Sequence, residues 1–233
     1  LSYQLCERAF DCEHCPLDAA LRMHFARGAE TGAGGTPPAP ETGPLPDDRR
    51  YSRGHCWVMP RGAAGAAPAS GEATRGASRV GIEPGLAKAL LAPREVVRPT
   101  SGERLASRQL HLWIVTAGGT LPVAAPLGGT VRRVNPELAA RPHLLLSSPL
   151  EEGWLYEVEP DAPEASDGLF AAAEAARLYA GDAERFRAAL ARELRRSGGL
   201  PVLADGGVML DHVADMLGPP RYFALLARAF GRG

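Results

Sequence analysis

Six short segments of apolar or alternating character, at 55–59, 78–82, 95–98, 110–116, 129–134 and 154–159, are each punctuated by Gly, Pro or Asn. That punctuation is the strongest constraint on the fold. Side chains along such a segment alternate between two faces, and turn residues at this density send the chain back on itself every few residues. A chain so built buries its apolar faces strand against strand, as a small barrel or sandwich.

The flanks have a different character. Cys6, Cys12 and Cys15 precede Pro16, which suits the first turn of a helix carrying Leu17, Leu21 and Phe25 on one face and ending at Gly28. Residues 28–50 are rich in Gly, Ala, Thr and Pro and lack apolar periodicity, so they read as a flexible linker. A second low-complexity run, 61–77, reads as a loop insertion. Beyond residue 160 helical spacing takes over: Asp182 is a candidate N-cap for a helix with Phe186, Leu190 and Leu194 on one stripe, ending at Gly198 and Gly199. Residues 201–204 and 208–210 flank Asp205-Gly206-Gly207 as a hairpin, and a last helix is expected over 220–230. The expected layout is a cysteine-rich head (1–27), a linker (28–50), a β-rich body (51–160) and a helical and hairpin cap (161–233).

A net charge of −1 gives no push toward nucleic acid or an anionic membrane. No apolar run approaches the ~20 residues that span a bilayer. The chain opens on Leu1 without a basic stretch leading into an apolar one, so upstream residues are expected, with the cytoplasm as default compartment. Of 26 basic residues only Lys88 is a lysine, so chemistry that needs a lysine amine has one candidate. No P-loop, GxSxG, HExxH or dinucleotide fingerprint occurs, and no catalytic residue is assigned.

Five phrases, in order, carry a family resemblance. They are Tyr51-Ser-Arg-Gly-His55-Cys56-Trp57-Val58; Val80-Gly81-Ile82 with Ala87-Lys88-Ala89-Leu90; Pro99 with Gly102; Ala125-Pro126-Leu127-Gly128-Gly129-Thr130-Val131 running into Val134-Asn135-Pro136-Glu137-Leu138; and Ser148-Pro149 with Glu152-Gly153-Trp154-Leu155. Together they resemble the glycine cleavage system H protein over about half of the chain. The resemblance implies a mainly β fold, the flattened lipoyl- and biotinyl-carrier barrel known as a barrel-sandwich hybrid, here with a helical N-terminal and an α+β C-terminal extension. It also implies a lipoyl lysine on a tight hairpin. Counted back from Ala125-Pro126, that position falls on Gly118, within Thr116-Ala117-Gly118-Gly119-Thr120, and the acidic residue expected three places earlier is Val115. The expectation is an exposed hairpin tip at Gly118-Gly119 without lipoate. Lys88, in a short helix expected over 85–91, does not take the attachment role.

Cys6, Cys12 and Cys15, spaced C-x5-C-x2-C, form a candidate metal site. A C-x-x-C turn can place two thiolates on one tetrahedral ion, and zinc is favoured over an iron–sulfur cluster because full cluster spacing is absent. His14, Cys56 or a residue upstream of Leu1 are the weaker candidates for a fourth ligand. Asp205, Asp211, His212 and Asp215 are dense enough to suggest a metal, but turns and caps explain the aspartates, and His111 and His143, in apolar surroundings, read as structural. Two functional readings follow: a non-lipoylated H-protein-like binding module with protein partners, or a redox or electron-transfer protein using the head cysteines. A third, a lipoyl carrier of glycine cleavage, lacks its amine.

Overall fold

The computed structural model describes residues 44–60, 76–161, 168–196 and 210–231. Cys6, Cys12, His14 and Cys15, the head helix, most of the linker, the loop over 61–75 and the hairpin around Asp205 lie outside the described residues.

Alternation and turn residues produce the strands. Among the described residues they are β1 (Arg50–Ser52), β2 (Cys56–Pro60), β3 (Ser78–Ile82), β4 (Pro93–Val97), β5 (Arg104–Leu105), β6 (Leu110–Thr116), β7 (Thr120–Ala124), β8 (Gly129–Val134), β9 (Tyr156–Pro160) and β10 (Leu169–Phe170). The helices are α1 (Pro84–Ala89), α2 (Glu137–Ala140), α3 (Leu144–Ser147), α4 (Ala172–Arg196), α5 (Leu210–Leu217) and α6 (Pro219–Phe230). Seven strands form an antiparallel sheet in the order β10-β1-β2-β3-β9-β8-β5, and β4-β6-β7 form a second sheet.

The two sheets enclose one core. Val58, Val80, Ile82, Val131 and Val158 of the larger sheet share it with Val96, Leu112, Ile114, Leu121 and Val123 of the smaller. Among the described residues the fold is mainly β with a helical C-terminal extension, as the sequence implied. The larger sheet is covered on its other side too. Cys56 and Val58 of β2 enter the main core, whereas Trp57 between them joins a second cluster with Leu45, Tyr51, Trp154, Ala172, Ala175 and Tyr179. Period two along a strand produces that division, and it is why β2 reads as a continuous apolar run.

Several local expectations need correction. The described end of the linker is packed: Leu45 is buried, and the Tyr51 hydroxyl donates to the Pro46 carbonyl at 2.9 Å. The larger sheet gains β10, beyond residue 160. Asp182 caps nothing, because α4 begins at Ala172 and Asp182 lies buried in its interior. The apolar stripe of α4 therefore serves two clusters: Ala172, Ala175 and Tyr179 cover the outer side of the sheet, and Phe186, Leu190 and Leu194 reach the main core.

Candidate functional site

The hairpin joining β6 and β7 is the element to which the resemblance assigns a prosthetic group. Val115 and Thr120 are its last paired residues. The Thr116 amide donates to the Gly119 carbonyl at 2.9 Å, the Thr116 hydroxyl donates to the same oxygen at 2.9 Å, and the Gly118 amide donates to that hydroxyl at 3.2 Å. Thr116 thus closes the turn from within, as hydroxyl side chains do in tight turns.

The turn sits where it was expected, but its tip is not exposed. Gly118 and Gly119 are both half-buried, with only Ala117 and Thr120 exposed around them. Helix α6 lies over them. A Cβ added at Gly118 would fall closer than 3.0 Å to the Pro219 carbonyl and to Cβ of Phe223, and one added at Gly119 would meet the Phe223 ring as closely. Sequence reasoning missed this cover because Pro219 and Phe223 are separated from the hairpin by about a hundred residues.

Lipoate attached here needs a lysine amine at the turn. The residues present do not fit it: Gly118 has no side chain, Val115 is no acid, and the space above Gly118 is filled by α6. Lys88 is exposed in the last turn of α1, where its charge complements the helix dipole. It is on a different element from the hairpin.

Helix α6 is anchored at depth. Tyr222 is 1% exposed and its hydroxyl donates to the Ala89 carbonyl of α1 at 2.9 Å. Phe186 of α4 meets Tyr222 and Phe230 edge-on at 5.4 and 5.5 Å. Phe230 in turn meets His55 at 4.8 Å between ring centroids.

His55 is the centre of a buried polar cluster. It sits in the turn between β1 and β2 at φ 58°, in the left-handed region, where histidine is uncommon but tolerated. Its Nδ1 is 2.9 Å from Oε1 of Glu83, and its Nε2 is 3.5 Å from Oδ2 of Asp182. Tyr179 stacks on the ring at 4.4 Å. Burial pushes the imidazole toward neutrality, but hydrogen bonds and charge from Asp182 and Glu83 outweigh it and raise its pKa above the ordinary value. Burial likewise opposes the Asp182 charge, yet His55 and Arg185 hold its pKa below the ordinary carboxylate value. Glu83 also accepts from the amides of Gly85 and Leu86, capping α1. One cluster therefore ties α1 and α4 to the body, and its contact with Phe230 extends it to α6. The arrangement is structural in kind: it is closed from solvent, with His55 at 1% and Glu83 at 1% exposure.

Cys56 is wholly buried in the main core, where burial pushes its thiol up to about 12, away from the thiolate that a metal takes. Among the described residues, no group of three or more His, Cys, Asp and Glu side chains is arranged to hold a metal ion. His111 is buried edge-on against Tyr156 at 4.9 Å, and burial lowers its pKa. His143, expected in apolar surroundings, is exposed ahead of α3. Asp211, His212 and Asp215 lie in α5, with Asp215 exposed. Among the described residues no helix is long and apolar enough to cross a membrane.

Comparison with known proteins converges on one family. Residues 72–181 match the family model described as "Glycine cleavage H-protein". The glycine cleavage system H protein of Micrococcus luteus is 32% identical over 114 residues, 49% of this chain and 80% of that protein. That of Halorhodospira halophila is 27% identical over 136 residues, 58% of this chain and 95% of that protein. Among solved structures, a glycine cleavage system H protein from Mycobacterium marinum is similar at 28% identity, covering 59% of this chain and 97% of that one with a TM-score of 0.47. With the five sequence phrases in place on the strands and turns just described, this chain belongs to the glycine cleavage H-protein family.

Proposed function

We propose that this chain is a non-lipoylated H-protein-like module that acts by binding protein partners rather than by carrying a reactive group. One observation supports the reading: helix α6 is packed over Gly118, the position to which the family resemblance assigns the attachment residue. A swinging-arm carrier needs an exposed amine on a rigid turn. This turn is rigid, closed by three hydrogen bonds through Thr116 and Gly119, and offers no amine. The barrel itself is retained, which favours a scaffold that keeps its surface for other proteins. The relatives are named for the glycine cleavage system, so the enzymes of that system are the first partners to test.

The experiment is co-expression with lipoyl ligase and free lipoate, followed by intact-mass analysis, and capture of purified glycine cleavage enzymes on the immobilised chain. The expected result is no lipoyl adduct and retention of at least one enzyme. An adduct mapped to Lys88 overturns the first half, and failure to retain any of the enzymes overturns the second.

A further inference from the structure

We infer that helix α6 is a built-in occupant of the carrier hairpin, so that a docked α6 and a side chain at position 118 exclude each other. The inference rests on the proposed reading only in treating Gly118 as the attachment position; the contact itself is independent of it.

Gly118 is outside the left-handed region, so its backbone conformation suits a residue with a side chain. What excludes one is the helix. A Cβ at Gly118 would fall closer than 3.0 Å to the Pro219 carbonyl oxygen and carbon, both of them main-chain atoms, and to Cβ of Phe223. Main-chain atoms cannot rotate aside as a flexible side-chain end does, so relief requires α6 to move. At Gly119 a φ of 158° already disfavours a side chain, and the Phe223 ring also occupies the place of a Cβ.

Helix α6 is not positioned to yield locally. Its start is fixed by Pro219 and Pro220 after Gly218, which holds φ 77°. Its body is fixed by Tyr222 on Ala89 and its far end by Phe230 among Phe186 and His55. Leu226 is fully buried. An added side chain at 118 therefore acts on the whole helix, and the absence of an attachment residue is coupled to the presence of the C-terminal extension. Reinstating a lysine alone does not yield a carrier with its cap in place: either the helix leaves and the amine becomes accessible, or the helix stays and the amine is covered.

The test is hydrogen exchange on the full chain for the original sequence, Gly118→Lys, Gly119→Ala, Phe223→Ala and the Gly119→Ala/Phe223→Ala double variant. Exchange over β6 reports whether the barrel survives. Gly118→Lys should reduce protection across α6 at least tenfold while β6 keeps its protection. Gly119→Ala should do the same alone, and its effect should shrink at least threefold once Phe223 has been truncated, because the ring clash is then gone while the strain at φ 158° remains; the coupling between the two changes isolates that contact. A Gly118→Lys protein with α6 protected as in the original sequence overturns the inference, as does a Gly119→Ala effect unchanged by Phe223→Ala. If Gly118→Lys loses the barrel as well, the Gly119 and Phe223 series decides the matter. Incubating Gly118→Lys with lipoyl ligase, ATP and lipoate supplies a second readout, since an amide formed on the introduced amine with α6 still protected also overturns the inference. An adduct on the original sequence overturns the proposed function and leaves the exchange result standing, so the two failures are distinct.

Discussion

Asp182, in the interior of α4, holds Oδ2 3.5 Å from Nε2 of the buried His55 imidazole. With Glu83 on the other ring nitrogen at 2.9 Å, both nitrogens face acceptors, and an imidazole can donate from both only when protonated. The pH dependence follows. His55 has a folded pKa above its ordinary 6.5, so its contribution is complete below that value and is lost as pH rises through the raised one. Asp182 has a folded pKa below its ordinary 3.8, so its contribution is present above 3.8 and is lost as pH falls through the lowered one. Thermal unfolding followed across pH should show greatest stability between those two values, with a decline on the alkaline side. In Asp182→Asn that decline should move to lower pH. An alkaline limb identical in both proteins would show that the pair does not govern it.

Removing one partner of this cluster should be expensive. Asp182→Ala leaves the Nε2 side of His55 facing a void, and loss of one member of a buried charged pair typically costs about 3–5 kcal/mol. A loss near the lower end, roughly 3 kcal/mol, is expected because Glu83 still faces the ring. Glu184→Ala, on the exposed side of the same helix, should change stability by less than about 0.5 kcal/mol. Urea unfolding midpoints compare the two, and equal effects would refute the role given to the cluster.

Gly81 and Trp57 are paired across β2 and β3. The indole lies so close that a Cβ at Gly81 would fall nearer than 3.0 Å to its ring. The ring is also tied down, with Nε1 donating to the Pro149 carbonyl at 3.0 Å and Arg49 stacked 4.8 Å from its centre. Gly81→Ala should therefore overpack the second cluster, destabilising by about 1–3 kcal/mol and altering the fluorescence of Trp57. A neutral substitution with an unchanged spectrum would mean that the indole is free to shift.

What the sequence made legible was the repeating part. The alternation at 78–82, 110–116 and 129–134 matches β3, β6 and β8 residue for residue, because turn residues bound each segment and each turns at least one face to the core. β1, β5 and β10, of two or three residues each, are too short for period two to register, so their pairing depends on neighbours already in place. Asp182 was misread for a related reason. An aspartate ahead of a Phe186, Leu190 and Leu194 stripe looks like a cap, and only the distant His55 gives it a reason to be buried within the helix. The site shows the same limit. Gly118 could be counted to from Ala125 and Pro126, but the helix above it could not, since nothing local to Pro219 or Phe223 names the surface it covers.

The attachment of α6 to the body through Tyr222 can be tested without touching the hairpin. Its hydroxyl donates to the carbonyl of Ala89, the last residue of α1, and carbonyls in a last helical turn lack partners within the helix. Tyr222→Phe keeps the ring, and with it the edge-on contact with Phe186 at 5.4 Å, while removing the donor. A buried carbonyl left without its partner costs about 1–3 kcal/mol, so a loss of roughly 1–2 kcal/mol is expected in urea unfolding. The loss should not be uniform: hydrogen exchange should quicken over α6 and at the end of α1, while β3 and β6, which belong to the sheets and not to this joint, keep their protection. Quickening spread evenly over sheets and helices would mean that Tyr222 supports the whole core rather than anchoring α6.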